Sequence, residues 1–124
     1  MNTRYAVALA LLAGVAVGAT AIQGLHAQTK PPVYIVNEID VTDTAAFQTY
    51  ADRQSQAIQK HGGHYIIRGG KVTPMEGTPP KRFTIYVFDN VDKMQAWQGD
   101  QAEIKPLRAK AGTFRTFAVE GLAN

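Results

Sequence analysis

The stretch Arg82-Phe83-Thr84-Ile85-Tyr86-Val87-Phe88-Asp89 decides the fold. β-Branched and aromatic residues fill it, which favours an extended strand. The pleat puts Phe83, Ile85 and Val87 on one face and Thr84, Tyr86 and Phe88 on the other. Neither face is polar, so the strand is expected to be covered on both sides.

Working outward, Val33 to Ile39 (Val-Tyr-Ile-Val-Asn-Glu-Ile) has the same character and predicts a first strand. Thr42 or Asp43 then offers an N-cap to a helix whose apolar face holds Phe47, Tyr50, Ala51, Gln54, Ile58 and His61, and Gly62-Gly63 ends it. His64 to Gly70 predicts a second strand that bends at its glycines. A proline-rich connection from Lys71 to Pro80 leads into the opening stretch. Beyond it, Asn90 caps a helix carrying Val91, Met94 and Trp97. The helix is interrupted near Gly99, and a further helical piece holds Ala102, Ile104 and Leu107, its regularity limited by Pro106. Thr113 to Glu120 predicts the last strand. The order β-α-β-β-α-β is that of an α+β, ferredoxin-like domain: a four-stranded antiparallel sheet with two helices on one face. The other face is apolar, so a second copy packed sheet to sheet, a homodimer forming a dimeric α+β barrel, is expected to cover it.

A chain of 124 residues with 45% hydrophobic residues is one domain's worth of ordinary globular composition. It has no cysteine, which removes disulfides, thiolate metal sites and thiol nucleophiles. The N-terminus places Arg4 before an apolar run from Tyr5 to Ile22, the arrangement of a secretory signal, with cleavage expected after Ala27. That divides the chain into a signal peptide (1–27), a tether (28–32) and a domain (33–122). It also predicts a periplasmic or secreted protein that meets the membrane only in transit. Removing Arg4 leaves the charges nearly balanced. No basic stripe points to nucleic acid.

Several motifs resemble the domain of unknown function 1330 (DUF1330) family. They are Tyr34-Ile35-Val36-Asn37-Glu38-Ile39 with Thr42-Asp43, Gly62-Gly63-His64-Tyr65-Ile66-Ile67-Arg68-Gly69-Gly70, Glu76-Gly77, Lys81-Arg82, Ala96-Trp97 and Ile104-Lys105-Pro106-Leu107-Arg108. The Gly-Gly-x-Tyr-x-x-Arg-Gly-Gly stretch followed by Glu-Gly is the most specific. The segment from Gln98 to Ala102 departs from the family pattern. The resemblance implies a ferredoxin-like protomer and a dimer, and names no reaction.

Arg68 is the first candidate ligand residue, because a guanidinium on an apolar strand needs an anion: a bound carboxylate or enolate, or an internal partner among Glu38, Glu76 and Asp89. Tyr34, Asn37, Tyr86, Trp97 and Arg108 are the other candidate ligand-binding residues. Strand alternation puts His64 on the face of Ile66 and Arg68. That makes His64 and Tyr86 the candidate proton carriers of a cofactor-independent, monooxygenase- or isomerase-like enzyme. His61 and His64 lack a third ligand nearby, so no metal is expected, and no cofactor. Binding of a small organic molecule, anionic or aromatic, comes first, ahead of that enzyme and of a dimer with a purely structural role.

Overall fold

The structure is a computed structural model that describes residues 30–123, so the signal reading and the start of the tether lie outside the described residues. Four strands, β1 (Val33–Val41), β2 (His64–Arg68), β3 (Arg82–Phe88) and β4 (Gly112–Glu120), form one antiparallel sheet in the order β2-β3-β1-β4. Three helices, α1 (Thr44–Lys60), α2 (Val91–Gln98) and α3 (Ile104–Ala111), complete a ferredoxin-like α+β protomer. The expected second helix is two pieces, with the break at Gly99 where the sequence places it.

Caps start two of the helices. Asp43 accepts a hydrogen bond from the Ala46 amide at 3.0 Å, and Asn90 one from the Lys93 amide at 3.0 Å. Pro106 falls within the first turn of α3, where a missing N–H removes no intrahelical bond. After α1 the chain reverses at Gly62, whose φ of 78° is one that side chains rarely adopt. Gly63 then passes so close to the core that a Cβ would sit 2.6 Å from Phe88 Cε1 and 2.9 Å from Ile58 Cγ2.

The core lies between the sheet and the helices. Val33, Ile35 and Ile39 of β1 and Tyr86 and Phe88 of β3 meet Phe47, Tyr50, Ala57 and Ile58 of α1, Trp97 of α2 and Ile104 of α3. Phe88 and Ile58 are wholly buried, each burial being favourable by about 1.5–3 kcal/mol. Aromatic rings interlock around Tyr86, which meets Tyr65, Phe88 and Trp97 edge to face at 5.4, 6.1 and 5.4 Å. On the opposite face of the sheet, Phe117 and Val119 of β4 are 45% and 46% exposed.

Strand β2 differs from its expected form. Its pairing with β3 shifts between Tyr65 and Ile67: His64 lies opposite Val87 and Tyr65 opposite Tyr86, but Ile67 lies opposite Ile85 and Arg68 opposite Thr84. The extra residue of this bulge reverses the alternation. Arg68 therefore shares the helix-side face with Thr84, and His64 shares the far face with Val87. The single face expected for His64, Ile66 and Arg68 is not formed. The strand also ends at Arg68 rather than Gly70, because Gly69 turns away with φ of 68°.

Candidate functional site

A cavity of about 510 Å³ opens between the β1, β3 and β4 face of the sheet and the helices, within the size range of small-molecule sites. Its floor is the helix-side set of three strands: Ile35 and Asn37 from β1, Tyr86 from β3, and Phe114, Thr116 and Ala118 from β4. These belong together by pairing, since Asn37 lies opposite Thr84 on one side and Thr116 on the other. Tyr50 and Gln54 of α1, Met94 and Trp97 of α2, and Ile104, Lys105 and Arg108 of α3 form the walls.

Two polar systems are built into this lining, and in the second the chemistry of the donor fixes the orientation of an amide. In the first, Arg108 Nη2 donates to Thr116 Oγ1 at 2.6 Å, and Thr116 Oγ1 donates to Asn37 Oδ1 at 2.7 Å. Arginine has only donors, so the threonine hydroxyl accepts from it, and its own proton goes to the Asn37 oxygen. The Arg108 guanidinium also rests 4.5 Å above the Phe114 ring.

In the second, Trp97 Nε1 donates to Gln54 Oε1 at 3.0 Å. Indole is donor only, so Gln54 presents its Nε2 to Gln101 Oε1 at 2.8 Å, and Gln101 Nε2 returns a bond to Gln54 Oε1 at 3.1 Å. This amide pair ties α1 to α2 and to the turn before α3. It holds one wall of the cavity.

The lining carries two cations, Lys105 and Arg108, and no carboxylate. Its two phenols stay protonated at neutral pH. Burial pushes Tyr86 far above the usual 10, which the neighbouring Asn37 amide offsets only in part. Tyr50 is raised by burial too, partly offset by Gln54.

Asn37, Tyr86, Trp97 and Arg108, four of the candidates read from the sequence, meet in this cavity. The other two ligand candidates do not. Tyr34 alternates onto the opposite face of the sheet, where its ring lies against Gly121. Arg68 is exposed and stacks its guanidinium 4.7 Å above the Tyr65 ring, beside a crevice of about 20 Å³ with room for about one water. Among the described residues it forms no ion pair with Glu38, Glu76 or Asp89; Glu38 instead lies 3.6 Å from Arg115. His64 is exposed, on the face away from the cavity. His61 is taken up by Asp100, which it meets at 3.0 Å beside Lys60.

Thr116, Gln54 and Gln101 were missed. A signal existed for two of them: Gln54 is the one amide on the apolar face of α1, and alternation from Phe114 puts Thr116 on the core side of β4. Gln101 belongs to a turn and carries no such pattern.

The fold is shared with solved structures at low identity. One is a protein of unknown function, RPA0582 from Rhodopseudomonas palustris, with TM-score 0.60 and 11% identity over 86% of this chain and 94% of that one. Its methylated form gives TM-score 0.62 and 13% identity over 84% and 90%. SnoaB from Streptomyces nogalater, a cofactor-independent oxygenase, is a more distant likeness at TM-score 0.48 and 13% identity over 76% of this chain and 96% of that one. No curated protein matches in sequence. The family profile described as a domain of unknown function, DUF1330, matches residues 32–122, so the chain belongs to the DUF1330 family.

Proposed function

We propose that this chain is an exported protein that binds a small aromatic organic anion between its sheet and its helices, as a homodimer. The lining of the cavity carries this reading: aromatic and aliphatic walls, two cations from α3 and no carboxylate. Apolar walls favour a flat hydrocarbon body, and Arg108 with Lys105 favours a carboxylate at its end. The Arg4-led apolar run supports export. Phe117 and Val119, exposed on the far face of the sheet, support pairing through it.

An enzyme reading has less support. It needs a proton carrier in the cavity, whereas His64 faces away and the Tyr86 phenol is held protonated.

The test is 2-naphthoate added to protein recovered from the periplasm of a Gram-negative host expressing the full chain. Calorimetry is expected to show binding that weakens about tenfold in Arg108→Ala, the loss of a charged hydrogen bond. No binding to the wild type, or equal binding to both, overturns the reading. Native mass spectrometry of the same sample checks the rest: a dimer of chains starting at Gln28 is expected, and a monomer, or a chain that keeps residues 1–27, refutes pairing or cleavage.

A further inference from the structure

We propose that Arg68 and Arg82 form a second anion site, away from the cavity, at the end of the sheet where β2 passes into the connection 71–80. Its ligand is a phosphoryl dianion, free or as the end group of a larger molecule.

The pairing of β2 with β3 brings the two arginines together. The bulge places Arg68 opposite Thr84 on the helix-side face, and Arg82 lies two residues from Thr84 on the same face of β3. Diagonal neighbours of this kind stand about 7–8 Å apart at the backbone. Both arginines line the crevice of about 20 Å³, whose other polar side chains carry only hydroxyls, so like charges gather there with no carboxylate to offset them. Two carboxylates of the neighbouring β1 are already engaged, Asp40 by Lys81 at 3.6 Å and Glu38 by Arg115 at 3.6 Å.

Tyr65 and solvent suffice for Arg68 by itself. Arg82 is different: it is half-buried, and among the described residues its guanidinium makes no hydrogen bond or ion pair. The group is nonetheless held in place. It rests 4.6 Å from the centre of the Phe47 ring, and a Cβ on Gly69 would lie 2.8, 2.9 and 3.2 Å from its Nη2, Cζ and Nη1. Distances so nearly equal put Gly69 over the flat face of the guanidinium, where a larger residue has no room. Contacts to that face leave the N–H donors at its edge unspent. Arg68 is seated in the same manner, 4.7 Å above Tyr65. Two pre-positioned donor forks match the several oxygens of a phosphoryl group.

Charge and size narrow the ligand further. Two neighbouring cations favour a dianion over a monovalent carboxylate. The crevice has room for about one water, so one oxygen enters it and the rest of the anion stays at the surface, where a substituent can be carried. Tyr50 and Tyr86 are common to the linings of crevice and cavity, whereas Arg108 lines the cavity alone.

The test titrates protein from the full expressed chain with inorganic phosphate, kept dianionic, against sodium chloride at matched ionic strength. Nitrogen-15 NMR follows the Gly69 amide, which is bonded to the Phe83 carbonyl, and the Arg82 Nε–H, which is shielded from solvent. A saturable shift with phosphate and none with chloride is expected. Arg68→Gln, a change at an exposed residue, is expected to weaken phosphate binding about tenfold, a charged hydrogen bond's worth, and Arg108→Ala to leave it unchanged. Phenyl phosphate distinguishes the two sources: tighter binding than the inorganic ion points to an esterified group and weaker binding to the free ion, and either supports the site. A response no different from that to chloride, one untouched by Arg68→Gln, or one lost in Arg108→Ala overturns the proposal. Binding of 2-naphthoate in the cavity stands or falls separately.

Discussion

Replacing Asn37 by leucine is expected to leave the protein as stable as before or to make it more stable, against the usual cost of changing a buried residue. The wild-type side chain is 2% exposed and keeps an unmatched N–H group, a penalty of about 1–3 kcal/mol. Its one hydrogen bond, from Thr116 at 2.7 Å, contributes about 0.5–1.5 kcal/mol in return. Leucine removes both. Thr116 is exposed, so its freed hydroxyl turns to water and still accepts from Arg108. Leucine has the branching of asparagine, and position 37 is among those that line the cavity. The balance runs from neutral to roughly 2 kcal/mol in favour of the variant, with about 1 kcal/mol at the centre. For a domain of this size that is a rise of about 4–8 °C in Tm. Urea unfolding at matched protein concentration, followed by the fluorescence of the single tryptophan, measures it. A loss of more than about 1 kcal/mol would refute the reasoning, because it would mean that the amide is satisfied in the folded protein.

Three further outcomes follow from the geometry. Gly112→Ala drives a Cβ into the Asp40 carbonyl oxygen and within 3.0 Å of Val41 Cα, backbone that cannot yield without opening the β1–β4 ladder; a loss of about 2–3 kcal/mol is expected in urea unfolding, with Gly70→Ala, which meets nothing within 4 Å, as the near-neutral control. Asp100 is held below its usual 3.8 by hydrogen bonds from His61 and Lys60, so its contribution is whole above that pH and is lost as pH falls through the lower folded value; in acid titrations Asp100→Asn should show a flatter loss of stability, and an unchanged acid limb would count against the tether. Tyr86 runs the opposite way: its raised phenol contributes fully below pH 10 and loses that contribution as pH climbs towards the folded value, so Tyr86→Phe should unfold at higher pH than the wild type in alkaline melts.

What the sequence revealed and what it hid divide along physical lines. Strand β3 and the caps at Asp43 and Asn90 are local: alternation over seven residues and a side-chain oxygen three residues before an amide announce themselves. The bulge in β2 is not local. Nothing in His-Tyr-Ile-Ile-Arg marks the extra residue, because it arises where the strand is paired with β3, and it parted Arg68 from His64. At the site, residue types were legible but not their convergence. Asn37 and Thr116 are 79 residues apart and meet because β1 is flanked by β4, a fact of topology. The reverse error has a similar origin: Arg68 drew attention as an unpaired charge, and an aromatic ring with solvent around it proved sufficient company.

The corner where α3 becomes β4 limits how this chain can change. Ala111 ends the helix and Gly112 begins the strand with no loop between them, while the Ala111 carbonyl accepts from the Thr42 and Asp43 amides at 2.9 and 3.2 Å. Arg108 and Thr116 stand on either side of that corner, so a single inserted residue would alter more than the length of a connection. It would shift the register of β4 by one, exchange its two faces and turn Phe114, Thr116 and Ala118 away from the cavity, with Thr113, Arg115 and Phe117 taking their places. Insertions that surface loops absorb without effect are here equivalent to rewriting the whole floor of the cavity, which makes the spacing from Arg108 to Thr116 as much a part of its shape as the side chains themselves.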